Sequence, residues 1–329
     1  MTHSHNDISH LLNKHGLAPR RAFGQNFLVD PNTVRKIARL ANVGPNDFVL
    51  EIGAGLGSLT LALAETGATI VAVEIDNGVV EVLRDVVKHL PNVEVLHADA
   101  MHLDWRPLVA RSPKWHVIAN LPYNVATPLV ADLLDYAPAV DHLLVMVQKE
   151  VAERFVAKPR TPAYGAVSVK ISYWADAFIA ADVPATVFLP KPNVSSAMVD
   201  IRRKATPAVV NVDPQKLFAL VRTGFGQRRK MLRRCLSNMV TPAQFAAAGV
   251  HEIRAGFHLS EGPLVEEMMR VLGERQMQAE DVRLREHPQA AQRRMRPGPQ
   301  DGRGPGSFLQ GEREMKRGAL ALDAFNPHL

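Results

Sequence analysis

Asn120-Leu121-Pro122-Tyr123 closes the apolar run from Trp115 to Ala119, setting a carboxamide, a backbone carbonyl and an aromatic ring at the end of what reads as a buried strand. The side-chain oxygen of Asn120 and the carbonyl of Leu121 make a pair of hydrogen-bond acceptors. Such a pair suits an exocyclic amine on a nucleic-acid base. The lone pair of that nitrogen is delocalised into the ring, and acceptors that hold its hydrogens localise it for attack on an electrophilic methyl carbon. Pro122 fixes the chain direction through its restricted φ, and Tyr123 offers a flat face on which an extruded base can stack. The same residues also describe a strand that merely ends in a proline turn, so the chemistry depends on what stands beside them.

What stands beside them begins upstream. Phe48-Val49-Leu50-Glu51-Ile52 is a short apolar strand, Gly53-Ala54-Gly55-Leu56-Gly57 a turn, and Ser58 to Glu65 has helical spacing. Glycines let a backbone turn tightly and approach a ligand closely. A second apolar run, Thr69 to Ile75, carries Glu74 at its end, about twenty residues past the glycines, where such folds bind a ribose hydroxyl pair. A third, Val93 to Ala98, ends at Asp99, which is placed to accept from the amino group of a cofactor adenine. In a parallel sheet all carboxyl ends share one edge, so Gly53, Glu74, Asp99 and Asn120 are expected to converge on one crevice. The competing reading has these acids capping the helices that follow.

The glycines alone leave the cofactor open. A dinucleotide site prefers G-x-G-x-x-G, and here the third glycine comes one place early; no G-x-x-x-x-G-K-[ST] loop is present. S-adenosylmethionine has a ribose, an adenine and a sulfonium but no phosphate. It needs acids more than helix-terminal amides, which matches Glu74 and Asp99.

Taken in order, Arg21 to Leu28, Glu51 to Gly57, Glu74-Ile75-Asp76, Asp99-Ala100, Asn120 to Asn124 and Phe188-Leu189-Pro190-Lys191-Pro192 resemble bacterial small-subunit ribosomal RNA adenine dimethyltransferases, the KsgA/RsmA family. The resemblance runs from about Leu17 to about Leu272. Erythromycin-resistance methylases of large-subunit RNA are close relatives, and Asn-Leu-Pro-Tyr-Asn with Phe-Gly-Gln-Asn-Phe is more similar to the small-subunit branch. The resemblance implies S-adenosylmethionine-dependent dimethylation of N6 on two adjacent adenosines near the 3′ end of 16S rRNA, within an immature 30S particle. It implies that Asn26 and Leu28 contact the cofactor from above, that Gly53 lines its methionine part, Glu74 its ribose and Asp99 its adenine, and that Asn120 lies between cofactor and target amine. It also implies that Tyr123 and Phe188 sandwich the flipped base. Without it, an aromatic beside Pro190 and Pro192 reads as a packing residue. Ala54 stands where many relatives have proline, in a loop whose backbone does the lining.

A chain of 329 residues with 47% apolar and 22% charged content supports a large core and two domains with a tail. The single Cys235 excludes an internal disulfide and suits a reducing compartment. No apolar stretch approaches a membrane span, and the N-terminus lacks the marks of a signal or transit peptide, so a cytoplasmic protein is expected. His3, His5, Asp7 and His10 read as a solvated leader rather than a metal site. The net charge of +6 favours a polyanionic partner. Arg228, Arg229, Lys230, Arg233 and Arg234 crowd one helical segment and are expected to grip phosphates with salt-sensitive affinity, as are Arg20 and Arg21, although a charge run is equally a solvated face.

The expected architecture is α/β: a doubly wound, Rossmann-like methyltransferase sheet with an antiparallel edge hairpin, plus a small C-terminal all-α domain. Residues 1–16 are expected as a flexible leader, 17–206 as the methyltransferase domain, 207–279 as a helical RNA-binding domain and 280–329 as a disordered Arg/Pro/Gly-rich tail. The hairpin is assigned to two long β-type runs, Ala166 to Val183 and Ser195 to Arg203. A monomer is expected, since no sustained heptad appears. Two other function classes stay in view. A noncatalytic ribosome-assembly factor would have no use for Asn120 or Glu74, and a nicotinamide-dependent dehydrogenase would leave the Asn120 motif and the basic helix unexplained.

Overall fold

The computed structural model describes residues 2–20, 23–210, 212–226 and 232–241, without the side chains of Leu232 and Arg233. All of them belong to one compact unit, Met1–Gln276. In chain order the elements are α1 (His5–Lys14), β1 (Phe27–Leu28), α2 (Pro31–Ala41), β2 (Phe48–Ile52), α3 (Ser58–Ala64), β3 (Thr69–Glu74), α4 (Asn77–Val87) and β4 (Val93–His97). There follow α5 (Trp105–Val109), β5 (Trp115–Asn120), α6 (Ala126–Tyr136), β6 (Val140–Gln148), α7 (Lys149–Val156), α8 (Ala166–Trp174), β7 (Ala175–Val183), β8 (Phe188–Leu189), β9 (Ser196–Arg203), α9 (Pro214–Gly226) and α10 (Leu232–Cys235).

Seven strands form one sheet in the order β4-β3-β2-β5-β6-β9-β7, parallel through β6, with β9 and then β7 added antiparallel. Order reverses between β2 and β5, the switch point at which doubly wound sheets bind ligands. Alternate strand residues feed opposite faces. Leu50, Ile52, Val71 and Val73 pack with α5, α6, α7 and α8. Val49, Ile70 and Ala72 pack with α2, α3 and α4. Helices therefore cover both faces, as the doubly wound expectation required.

Two segments differ from the sequence reading. The expected flexible leader carries α1: Ser4 and Asp7 form a capping box, with the Ser4 amide donating to Asp7 at 2.8 Å. Ile8 and Leu12, one helical turn apart, are buried against Phe27, Val29, Leu56, Val79 and Val82. The scattered histidines masked an i, i+4 apolar pair.

The run expected as one long strand from Ala166 is instead α8 followed by β7. Its apolar residues alternate, as a strand's would, but for another reason. Ile171 and its partly buried neighbours Val167 and Trp174 face the main core, while Val169 and Tyr173 face Leu217, Phe218 and Val221 of α9. A helix buried on two sides imitates period two. At its start Ser168 Oγ accepts from the Gly165 amide at 3.1 Å and donates to the Arg154 carbonyl at 2.6 Å. The hairpin is accordingly β7–β9, with β7 at the edge. The part of the expected helical domain from residue 242 to 279, and the tail 280–329, lie outside the described residues.

Candidate active site

The carboxyl ends of β2, β3, β4 and β5 surround two neighbouring clefts. Gly53, Phe23, Ile75 and Pro122 line both. Asn26, Leu28, Glu51, Glu74, Asn120, Leu121 and Tyr123 line the first, and Asp99 and His102 the second. No Lys or Arg is among the described residues lining either cleft.

The glycine loop is shaped for close approach. Gly53 and Gly55 have φ of 73° and 58°, in the left-handed region that favours glycine. A Cβ on Gly55 would meet the Phe27 ring at 3.1 Å, and one on Gly53 would meet Pro122 at 3.5 Å. The loop is clasped by Glu74: one carboxylate oxygen accepts from the Gly55 amide at 2.9 Å, the other from Ile75 at 2.9 Å and Asp76 at 3.0 Å. A carboxylate has about four acceptor directions, so capacity for a ribose hydroxyl remains. Burial pushes its pKa above the ordinary carboxylate value, against the pull of those amides. Ile75 is 38% exposed, an apolar face shared by the two clefts.

Asn120 is oriented from the other side. Its Nδ2 donates to the Asn26 carbonyl at 3.0 Å, and the Asn26 amide donates to Gly24 at 3.1 Å. With Nδ2 committed, Oδ1 is the end of the carboxamide left to accept. Leu28 is held by the Ser58 hydroxyl, which donates to its carbonyl at 2.9 Å, and by antiparallel pairing of β1 with β8. Gln25 ties this segment to the second strand, donating to Asp76 at 3.2 Å.

Asp99 accepts from the Met101 amide at 2.9 Å and lies 2.7 Å from His102 Nδ1. Burial raises its pKa, but the bonds from His102 and Met101 outweigh this and hold it below the ordinary value. Tyr123 is half-buried, its hydroxyl 2.8 Å from Ser196 Oγ.

A ribosomal RNA adenine dimethylase family model matches residues 16–271. The chain belongs to that family. Among relatives of this kind, a ribosomal RNA small subunit methyltransferase A from Thermobifida fusca is 44% identical over 249 residues, covering 74% of this chain and 85% of that one. Its counterpart from Streptomyces avermitilis is 40% identical over 275 residues, covering 80% and 91%. Two solved structures share the fold: a dimethyladenosine transferase from Plasmodium falciparum, with a TM-score of 0.62 and 23% identity over 73% of this chain and 95% of that one, and the 23S rRNA methyltransferase ErmE, with 0.56 and 25% over 74% and 100%.

Of the residues the family resemblance singled out, Asn26, Leu28, Gly53, Glu74, Asp99, Asn120, Leu121 and Tyr123 meet around the two clefts. Phe188 does not. It is 3% exposed, packed with Leu28, Val187 and Met198, and is not among the residues lining either cleft. The packing reading of that aromatic fits its position. Arg20 lies 3.3 Å from Asp76, with its side chain 59% exposed, and Arg234 is exposed on α10. Arg21, Arg228, Arg229 and Lys230, and the side chain of Arg233, lie outside the described residues. No group of three or more His, Cys, Asp or Glu side chains that could hold a metal ion occurs among the described residues, and no helix there is long and apolar enough to cross a membrane.

Glu51 was missed as a site residue. It is buried, lines the first cleft, and has Thr60 as its polar neighbour, but its Oε2 and the Thr60 Oγ1 make no well-formed hydrogen bond among the described residues. Burial, with the charge of Glu74 adding to it, pushes its pKa up to about 8 against the pull of the Thr60 hydroxyl and amide. The signal in the sequence was an acid inside an otherwise apolar strand, directly before the glycines.

Proposed function

We propose that this protein transfers methyl groups from S-adenosylmethionine to N6 of two adjacent adenosines in a loop near the 3′ end of small-subunit ribosomal RNA, giving N6,N6-dimethyladenosine during subunit maturation. The observation that carries the reading is the Asn120 carboxamide, whose Nδ2 is engaged by the Asn26 carbonyl so that Oδ1 remains to accept. The clefts suit this cofactor. An acid with spare acceptor capacity, an exposed isoleucine face and a buried carboxyl with one oxygen unbonded fit a ribose, a purine and a cationic amino acid. A pyrophosphate would find no lysine or arginine among the described lining.

S-adenosylmethionine supplies an electrophilic methyl on a sulfonium. The protein's part is alignment and desolvation. Asn120 Oδ1 and the Leu121 carbonyl accept the amine hydrogens and aim its lone pair. Tyr123 provides a stacking face for the base. As the N–C bond forms and the S–C bond breaks, the amine becomes cationic and sheds its proton to solvent, so no strong base is needed. The second transfer reuses the pocket with one N–H fewer. Glu74 would hold the ribose, Asp99 the adenine amine, and Asn26 and Leu28 would complete the cofactor's contacts. Phe188, buried in β8 with Leu28, supports the segment that carries Asn26 and Leu28.

The partner is small-subunit RNA within an immature 30S particle, bound by a monomer through Arg20, Arg21 and the basic segment Arg228, Arg229, Lys230, Arg233 and Arg234, in a helical domain spanning residues 207–279. Contacts of this kind weaken steeply with salt. Incubation with methyl-labelled S-adenosylmethionine and unmethylated small subunits, then large subunits, tests the reading. Label in dimethyladenosine of the small subunit is expected. Label in large-subunit RNA alone would move the substrate to that of ErmE, and no label in either would overturn the activity.

A further inference from the structure

β9 enters the sheet at the edge that carries the clefts, and it enters with a serine. Ser196 is 0% exposed, paired in register with Gln148 of β6 on one side and Val183 of β7 on the other, and followed by the buried Ala197, Met198 and Val199. A hydroxyl at such a position is costly unless bonded. The side-chain partner found for it among the described residues is the Tyr123 hydroxyl, 2.8 Å away across 73 positions of sequence. We infer that Ser196 is a positioning residue for methyl transfer, holding the Tyr123 ring by its hydroxyl so that a flipped adenine meets a preset stacking face. This rests on the function proposed above.

The ring is then fixed at both ends. Its backbone follows Pro122, whose φ is restricted, and Pro122 packs against Gly53 and Gly24. Its far end is tied to the sheet. Ser196 lines neither cleft, so its effect passes through the tyrosine. The fold itself has little use for the bond. With Tyr123→Phe and Ser196→Ala together, no buried polar group would be left unpaired, and alanine already follows in the strand. What the pair supplies is a chosen ring orientation in a loop that also carries Asn120. A ring free to turn would have to be ordered by the incoming base, and part of the stacking gain would be lost.

The test measures kcat and KM for small-subunit RNA, with S-adenosylmethionine affinity by calorimetry, in Ser196→Ala, Tyr123→Phe, the double variant and the hydroxyl-retaining Ser196→Thr. Each single change is expected to lower kcat/KM for RNA about tenfold, the loss of part of one stacking contact, with donor affinity unchanged. The double variant should be no worse than either single one, and Ser196→Thr should recover much of the rate. Tyr123→Phe keeps the serine and the core, so it remains informative if Ser196→Ala folds poorly. Single variants with wild-type kcat/KM, or losses that multiply in the double variant, would overturn the inference while leaving the methylase reading intact. A wild-type protein that methylates no adenosine would overturn both.

Discussion

The two edges of the central sheet hold buried titratable groups in similar numbers and use them in opposite ways. At the amino edge, His116 and His142 lie with their Nδ1 atoms 3.3 Å apart, rings edge to face. His116 Nε2 is 3.6 Å from Asp47, and His142 Nε2 is 3.2 Å from Asp200, which Arg202 also grips through Nε and Nη2. His142 Nε2, although close to Asp200, is buried without a well-formed hydrogen bond, as Glu51 Oε2 is, but it lines neither cleft. One Nδ1 must donate and the other accept, so the accepting ring is neutral. At the carboxyl edge, Glu51 keeps an unpartnered oxygen, Glu74 keeps spare acceptor capacity and Asn120 keeps an oxygen after its nitrogen is engaged. Where the spare capacity opens is what distinguishes the two edges: Glu51, Glu74 and Asn120 line a cleft, and His116 and His142 line neither.

The largest effect is expected at Asn120. Asn120→Ala should lower single-turnover methyl transfer at least about a hundredfold, the scale of losing one preorganised polar contact to the reacting group, while S-adenosylmethionine still binds. His116→Gln is the matching change at the amino edge and should leave transfer by the folded protein unchanged. Equal losses from both, measured by quenched-flow transfer with folded fractions checked by circular dichroism, would erase the distinction between the edges.

Phe188→Ala comes next and divides packing from recognition within the carboxyl edge itself. Because the ring is buried with Leu28, Val187 and Met198, the substitution should cost about 3–5 kcal/mol in urea denaturation. A stable variant with raised KM for RNA would instead put the ring in the base pocket.

Much of this arrangement was legible in the sequence, and the failures share a cause. The strand-turn-helix at Phe48 to Glu65, the helix opening at Asp30-Pro31 and the convergence of Gly53, Glu74, Asp99 and Asn120 follow from local patterns that the fold leaves alone. Here Asp30 caps by accepting from the Thr33 amide at 2.8 Å, as its position before a proline suggests. The misread segments are those whose surroundings are non-local. The alternation in α8 comes from two cores on opposite sides, and α1 is ordered by Phe27, Leu56 and Val79, none of which is near it in sequence. Glu51 was visible as an acid in an apolar strand, but its lack of a partner is a property of the folded neighbourhood alone.

Glu74→Gln should weaken S-adenosylmethionine binding about tenfold to a hundredfold, the equivalent of losing a charged hydrogen bond to a ribose hydroxyl. The glutamine has one accepting oxygen, which can keep the Gly55 amide or the Ile75 and Asp76 pair but not both, so the folded fraction of the variant is measured beside its affinity. Calorimetric titration of the two proteins gives the ratio, and unchanged affinity would remove Glu74 from the cofactor's contacts.

The smallest effect reads both edges at once, through pH. Glu51 has a folded pKa of about 8 against 4.5 for an ordinary glutamate, so its contribution to stability is fully present below 4.5 and is lost as pH rises through about 8. Glu74, also raised by burial, acts in the same direction. His116 and His142 act oppositely, since burial lowers both from 6.5, with Asp47 pulling His116 and Asp200 pulling His142 the other way. As pH falls below 6.5 the unfolded chain takes up protons first, and stability declines. Urea midpoints across this range should therefore fall on the alkaline side because of the carboxyl edge and on the acid side because of the amino edge. Glu51→Gln should flatten only the alkaline limb, and His116→Gln should weaken only the acid one. If the carboxyl edge is reserved for a cationic ligand, saturating S-adenosylmethionine should flatten the alkaline limb as well, because the carboxylate that forms there then has a counter-charge. An alkaline limb unmoved by both Glu51→Gln and the ligand would mean that the unpartnered oxygen answers to neither.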